Sequence, residues 1–474
     1  MDKATKPQGF KSDVVDQTRT AMKFVGMVLG LSWILPMGAM VAVPLWGANA
    51  AEQPTAIFHA HDQFYADLET SVCTIAEQGY SHVQIAPAQK SNPAAPWWSR
   101  YQPIDHRVIE GRGSEAELRS LIETAHGCNI KVIADVVFNH MANMPEFADL
   151  NFPTFGPADF QPFCETNYFD RLLKWTMHSC WLGDLPDLDV SRDNVQQIHK
   201  NHLQLLLNLG VDGFRFDAAK HMPQAVLQTY IDVANEADTW NYLEVIEDVN
   251  TQLEEYSWIA AVSDFRLYQT LRQAFSFGGD LRSLRLPTAL NDSRSVTFAR
   301  NHDTVLEIND HAVYPYDSPA DAHLATAYVL AREGGTPLVL NIDNFRIAYL
   351  KYGVQFRKIM GDRADAGANT QETVLAAIDS PTALLMERGE EGFFLINKAA
   401  REFDIPVLDL TQSNLEGCYE ELRFAFTVAI EWQDNDHKII TRWGTWERGG
   451  VEIEDRDALY FVRVPWAQCQ SDAA

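Results

Sequence analysis

The chain has 474 residues, 46% of them apolar, with 12 Trp and 25 Phe, which supplies a large core and excludes a disordered polymer. Its 65 acidic residues against 38 basic ones give a formal charge of −27, which excludes the broad positive field that nucleic acids and anionic membranes attract. The length suits one barrel of about 250 residues plus one or two smaller units.

In chain order, the first feature is an apolar, almost uncharged run from Phe24 to Trp46, preceded by Arg19 and Lys23 and followed by Ala48-Asn49-Ala50. That is the pattern of a secretory signal peptide over residues 1–50, cut after Ala50. The polar stretch before Met22 is unusual for such a peptide and makes Met22 a candidate start. The run is long enough to cross a bilayer, so an uncleaved anchor is the competing reading. Export makes the six cysteines readable as disulfides. Nearness in sequence favours Cys164 with Cys180. With no C-x-x-C spacing, a zinc or redox centre is not expected.

Short strands then alternate with helical stretches. The expected strands are Ala56–His59, His82–Ala86, Lys131–Val137, Gly213–Asp217, Asn241–Ile246, Ala260–Phe265, Val296–Arg300 and Thr336–Leu340. Between them fit helices over Phe64–Gln78, Glu115–Gly127, Val195–Leu209, His221–Ala237, Leu267–Phe277 and Asp321–Arg332. Eight strands with helical crossovers predict an α/β fold, a parallel (β/α)8 TIM barrel. The third crossover carries about fifty extra residues rich in Pro, Phe, Asp and Asn, too long for a simple loop and expected to form a small inserted domain. After Pro381 the pattern becomes that of antiparallel strands, as in Ala383–Glu387, Gly392–Ile396, Ile439–Trp443 and Leu459–Val462. The resulting division is signal 1–50, barrel 51–140 and 191–381, insertion 141–190, and a C-terminal β-sandwich domain 382–474.

Side chains at the C-terminal ends of barrel strands converge on one face. Here those ends supply Asn139 and His140, Arg215 and Asp217, Glu244, and Asn301, His302 and Asp303. Period-two alternation puts Arg215 and Asp217 on one side of Gly213-Phe214-Arg215-Phe216-Asp217. A neighbouring guanidinium is expected to keep Asp217 ionised, as a nucleophile requires. A buried structural Arg–Asp pair would read the same way. Glu244, in apolar Tyr242-Leu243-Glu244-Val245-Ile246, is placed to hold a proton as a general acid. Asp303 would be a third carboxylate stabilising positive charge on a sugar ring.

These motifs resemble the conserved regions of the α-amylase family, over roughly residues 55–345. Asp135 followed by Phe138-Asn139-His140, Gly213–His221, Glu244, and Arg300–Asp303 match four of them, and Leu185-Pro186-Asp187-Leu188-Asp189 matches a fifth. The resemblance implies that Asp217 is the nucleophile, Glu244 the acid/base and Asp303 the transition-state carboxylate. It gives Arg215, His140 and His302 the task of holding nucleophile or sugar, and Lys220 a contact beyond the cleaved bond. Pro96-Trp97-Trp98-Ser99-Arg100-Tyr101-Gln102-Pro103 resembles a segment of animal-type members, implying that Trp98 and Tyr101 stack on glucose rings; a Trp pair buried under a loop is the alternative. It further implies Cys73–Cys128 and Cys164–Cys180, which leaves Cys418 for Cys469.

A structural calcium ion is implied, held by Asn139, Asp187 and the backbone carbonyl of His221. Arg300 departs from the acidic residue usual before Asn-His-Asp, and Thr304-Val305-Leu306-Glu307 replaces a glycine-rich loop. Chloride-activated members need a third basic residue near the eighth strand, where Leu338 stands, so chloride is the less favoured reading although Arg215 and Asn301 remain.

The expected activity is that of a secreted, monomeric, retaining α-amylase cutting internal α-1,4 bonds of starch-like glucans, in the periplasm or outside the cell, with no nucleic-acid partner and no stable membrane association. Exo-cleavage or transglycosylation of malto-oligosaccharides on the same site is the alternative. A non-catalytic glucan-binding relative is disfavoured by the presence of all three acids.

Overall fold

The structure is a computed structural model that describes residues 52–290, 293–305, 316–343, 347–374, 380–400, 403–405, 415–433, 436–443 and 446–470. The expected signal peptide and the candidate start at Met22 lie outside the described residues, as does the loop from Leu306 that replaces the glycine-rich segment. No described helix is long and apolar enough to cross a membrane.

Eight parallel strands close into a barrel: β1 (Ile57–Ala60), β2 (His82–Ile85), β3 (Lys131–Val136), β4 (Gly213–Phe216), β5 (Trp240–Leu243), β6 (Ala261–Ser263), β7 (Ser295–Thr297) and β8 (Thr336–Leu340). The order around the barrel is β1-β8-β7-β6-β5-β4-β3-β2, so every strand neighbours its sequence neighbours and β8 closes on β1. The strands are buried on both faces almost throughout, with helices outside and side chains within. Register decides which residues meet: Asp135 of β3 lies opposite Arg215 of β4, and Arg215 opposite Tyr242 of β5, so all three stand in one row.

The helices follow their sequence signals. Glu115–Gly127 starts at a capping box in which Ser114 and Glu117 satisfy each other's backbone N–H groups. Asp193–Leu209 buries Val195, His199, His202, Leu203 and Leu206 along one stripe and ends at Gly210 with φ of 100°, the left-handed conformation a glycine adopts without a Cβ clash. The helix expected over Phe64–Gln78 is two pieces, Tyr65–Glu69 and Val72–Glu77.

Two elements were not expected. A hairpin pairs Gln89–Ser91 with Pro103–Ile109 around the Trp97–Tyr101 turn. A helix over Ala348–Asp365 packs against the C-terminal sheet. Its Gly353 is there for close approach: a Cβ would lie 2.6 Å from the Tyr460 hydroxyl and 2.9 Å from Leu330 Cδ1.

The C-terminal part is an eight-stranded antiparallel sheet running from Glu372–Val374 to Trp446–Gly449, with a second two-stranded sheet of Phe403–Ile405 and Val451–Ile453. It begins earlier than the change of pattern after Pro381 suggested, because Glu372–Val374 pairs with Ala383–Arg388. A second apolar cluster fills this part, including Leu385, Phe393, Tyr419, Val428 and Phe461. Cys418–Cys469 ties its strand Gly417–Glu421 to the terminal helix Ala467–Gln470. Cys73–Cys128 joins two outer helical segments, and Cys164–Cys180 closes the insertion.

Candidate active site

At the C-terminal rim of β3, β4 and β5, one guanidinium organises three carboxylates. Arg215 Nη1 donates to both oxygens of Asp135, at 2.8 Å each, and to Asp217 Oδ1 at 2.8 Å, while Nη2 pairs with Glu244 Oε1. The second oxygen of Glu244 accepts the backbone N–H of Ala218 at 2.9 Å. Ala218 follows Asp217 directly and has φ of 48°, a left-handed conformation costly for a residue with a Cβ, and this turn aims its N–H across to β5. Asp303 lies near enough for the charge of Glu244 to act on its carboxyl.

The electrostatics differ from the expectation at Asp217. One guanidinium serves Asp135, Asp217 and Glu244 together. Burial and the charge of Glu244 outweigh what reaches Asp217, whose carboxyl is raised well above the usual carboxylate range. Asp303 is raised for the same reasons, burial first and then Glu244. Burial lifts Asp135 to about 6 against the opposing pull of Arg215. The crowded carboxyls of Asp135, Asp217 and Asp303 thus keep a proton where isolated acids would not. Arg215 therefore positions Asp217 more than it acidifies it.

The residues around this centre are placed as follows. Tyr101 donates its hydroxyl to Asp135 at 2.9 Å and stacks its ring on His302, centroids 5.1 Å apart, with Arg215 lying over the ring at 5.7 Å. It therefore holds the catalytic residues together as well as bordering the cleft. Trp98 is 41% exposed, whereas Trp97 contacts the rings of His61, Tyr101 and His302. His140 Nε2 hydrogen-bonds the Tyr101 carbonyl oxygen at 2.9 Å. His302 Nε2 lies 3.2 Å from Asp303. Lys220 is not a surface lysine: it is buried, donates to the Ile246 carbonyl and to Asp248, and lies over the Tyr168 ring. Arg300 is turned away into a pair with Asp343, beside His323.

The insertion meets the rim through short backbone pairing. Met141 donates to the Pro186 carbonyl at 3.0 Å and Leu188 to that of Asn139 at 2.8 Å, bringing Asp187 opposite His140. Asp187 is buried, its carboxylate accepts the Leu182 N–H and pairs with no basic side chain among the described residues, and burial raises it to about 7. Asn139 Nδ2 has no hydrogen-bond partner, and the His221 ring lies against Tyr168 of the insertion. A buried carboxylate without a cationic partner, an amide oxygen from Asn139 and the His221 carbonyl are hard oxygen donors, and these residues fit calcium. At the positions considered for chloride, the terminal nitrogens of Arg215 are engaged by carboxylates, Asn301 Oδ1 accepts the Thr304 N–H, and Leu338 is apolar.

Sequence reasoning missed Asp135 as a working member of the site. The signal was present: a lone acid in apolar Val132-Ile133-Ala134-Asp135-Val136-Val137 needs a buried partner.

Comparison with known proteins places the chain among α-amylases. The α-amylase catalytic-domain family model matches residues 75–268. The chain is 30% identical over 358 residues to an α-amylase-related protein of Drosophila willistoni, covering 67% of this chain and 71% of that one. It is 32% identical over 353 residues to an α-amylase of Aeromonas hydrophila, covering 65% and 74%. Among solved structures, the α-amylase I of Eisenia fetida in complex with maltohexaose superposes with a TM-score of 0.70 at 19% identity, covering 85% of this chain and 98% of that one.

Proposed function

The chain belongs to the α-amylase family of glycoside hydrolases, and from that premise we propose that it is an exported endo-acting α-amylase, cleaving α-1,4 bonds of starch-like glucans with retention of configuration. The observation that carries the reading is the anchoring of Asp217 and Glu244 to the two terminal nitrogens of one buried guanidinium, with the carboxyl of Asp303 beside them.

In this reading the scissile glucose sits over the rim, its anomeric carbon facing Asp217. The proton kept by the crowded carboxyls is delivered through Glu244 to the leaving oxygen as Asp217 attacks, giving a covalent glycosyl–enzyme. Glu244 then takes a proton from water, which attacks the same face, so the anomeric configuration is kept. Asp303 lowers the barrier by opposing the positive charge that develops on the ring, and His140 and His302 border the same sugar. Trp98 and Tyr101 offer apolar faces to glucose rings, and buried Lys220, tied to the loop after β5, supports the far side of the cleaved bond. Calcium, held by Asn139, Asp187 and the His221 carbonyl, would brace the insertion against the barrel and makes or breaks no bond. The three disulfides support export to an oxidising compartment.

The test is hydrolysis of soluble starch and maltoheptaose with added calcium, by wild type and Asp217→Asn. Rapid loss of iodine staining with short products, abolished in the variant, is expected. Slow loss of staining with one short product from chain ends would favour exo-cleavage, early glucosyl transfer would favour transglycosylation, and unaltered activity of Asp217→Asn would reject the site.

A further inference from the structure

Beside the catalytic carboxylates stand three imidazoles that the reaction does not account for as a set. His59 belongs to β1, His61 follows its end, and His302 opens the short helix His302–Val305. Their ring centroids are 5.6 Å apart for His59–His61, 5.1 Å for His59–His302 and 4.8 Å for His61–His302, and one nitrogen from each ring lies within 4.8 Å of the others. His59 Nδ1, His302 Nδ1 and both nitrogens of His61 are buried without a hydrogen-bond partner among the described residues. Leaving a buried nitrogen unsatisfied costs about 1–3 kcal/mol, so four in one place mark a site made for a shared partner.

We propose that His59, His61 and His302 bind one borderline transition-metal dication of the Zn2+ and Cu2+ class, and that its binding shuts down the neighbouring catalytic centre. Three imidazole nitrogens select such ions over calcium, which wants oxygen donors. Burial holds all three rings neutral at neutral pH, His61 at about 4, so their lone pairs are free. Metal–nitrogen bonds of about 2.0–2.1 Å require nitrogens roughly 3.4 Å apart, so the rings close in by turning. His61 is the ring free to do so, since it has no hydrogen bond and is partly exposed. The inhibition follows from position: His302 Nε2 is 3.2 Å from Asp303, and a dication bound through His302 adds positive charge beside the carboxylate that must oppose positive charge on the sugar. The metal site itself stands on geometry alone; only the inhibitory consequence rests on the α-amylase reading.

The experiment is calorimetric titration of ZnCl2 into the calcium-saturated protein, wild type against His61→Phe, which keeps an aromatic ring and removes both nitrogens. One tight equivalent is expected in wild type, with the dissociation constant raised at least about tenfold in the variant. Zinc inhibition of starch hydrolysis is expected to shift by the same factor while zinc-free activity stays within about twofold. His61→Leu and the melting temperatures of both variants guard against a folding defect, and anomalous diffraction from a zinc-soaked wild-type crystal locates the ion directly. No stoichiometric zinc in wild type, equal affinity in a folded His61 variant, or an ion away from the three rings would overturn the proposal. Zinc bound at this site in a protein inactive on α-glucans would leave the metal site standing and reject the functional reading alone.

Discussion

Replacing Asp135 by Asn removes one negative charge from a cluster in which four carboxyls crowd one guanidinium. The wild-type carboxyl titrates at about 6 when folded, with burial as the leading cause, against an ordinary value of 3.8. A raised carboxyl contributes stability that is fully present below its unfolded value and lost as pH rises through its folded value. The window is therefore pH 3.8 to 6, and above it the ionised Asp135 is a burden of about 3 kcal/mol at 1.36 kcal/mol per unit. Asparagine carries no such burden, but its amide nitrogen must face Arg215 Nη1 or the Tyr101 hydroxyl, both donors to Asp135 now, which costs about 1–3 kcal/mol. Asp135→Asn is thus expected to match or exceed wild-type stability at pH 8 and to lose about 2–3 kcal/mol of that relative position by pH 4. Urea unfolding of both proteins across this range measures it. Because Asp135 helps to raise Asp217, the acid limb of the variant's rate profile should move to lower pH, at a reduced rate from the disturbed Arg215. A deficit of about 3–5 kcal/mol at every pH would instead show simple breakage of a buried ion pair, with no relief of carboxyl crowding.

Other expectations follow from the packing. Gly353→Ala should destabilise by about 1–3 kcal/mol in denaturant unfolding, because the new methyl meets the Tyr460 hydroxyl and Leu330; an unchanged midpoint would mean that the helix can shift. His106 and His202 are buried and lowered by desolvation to about 4 and about 3 from 6.5. Their contribution is present above 6.5 and is lost as pH falls through the folded values, a loss on the order of 5 kcal/mol by pH 4. His202→Gln, which can still donate to the His106 carbonyl, should flatten the acid slope, and an unchanged slope would contradict this. Calcium chelation should lower the wild-type melting temperature and change Asp187→Asn little, while equal responses would remove Asp187 from the calcium set.

The barrel was legible because short apolar runs recur between helical stretches, several ending in polar rim residues, and all eight strands fall within three residues of their expected ends. Periodicity cannot say where a ladder stops; pairing with the neighbour does. The helix Ala348–Asp365 escaped because Gly353 and Gly361 weaken its signal, yet Gly353 is what lets it approach Tyr460. Asp217, Glu244 and Asp303 could be read from the rim, whereas the direction of the shift at Asp217 could not. Sequence shows the adjacent Arg215 but not that Asp135 and Glu244 share it. His61 was likewise unremarkable until the fold brought it against His59 and His302, and the turn at Ala218 has no marker in the sequence.

The central claim is that Asp217 attacks an α-glucan and that the anomeric configuration survives. Proton NMR of the first products released from maltoheptaose, recorded before mutarotation, tests it most directly. The α-anomer is expected to appear first, and Asp217→Asn to release none; first appearance of the β-anomer would contradict a nucleophilic Asp217.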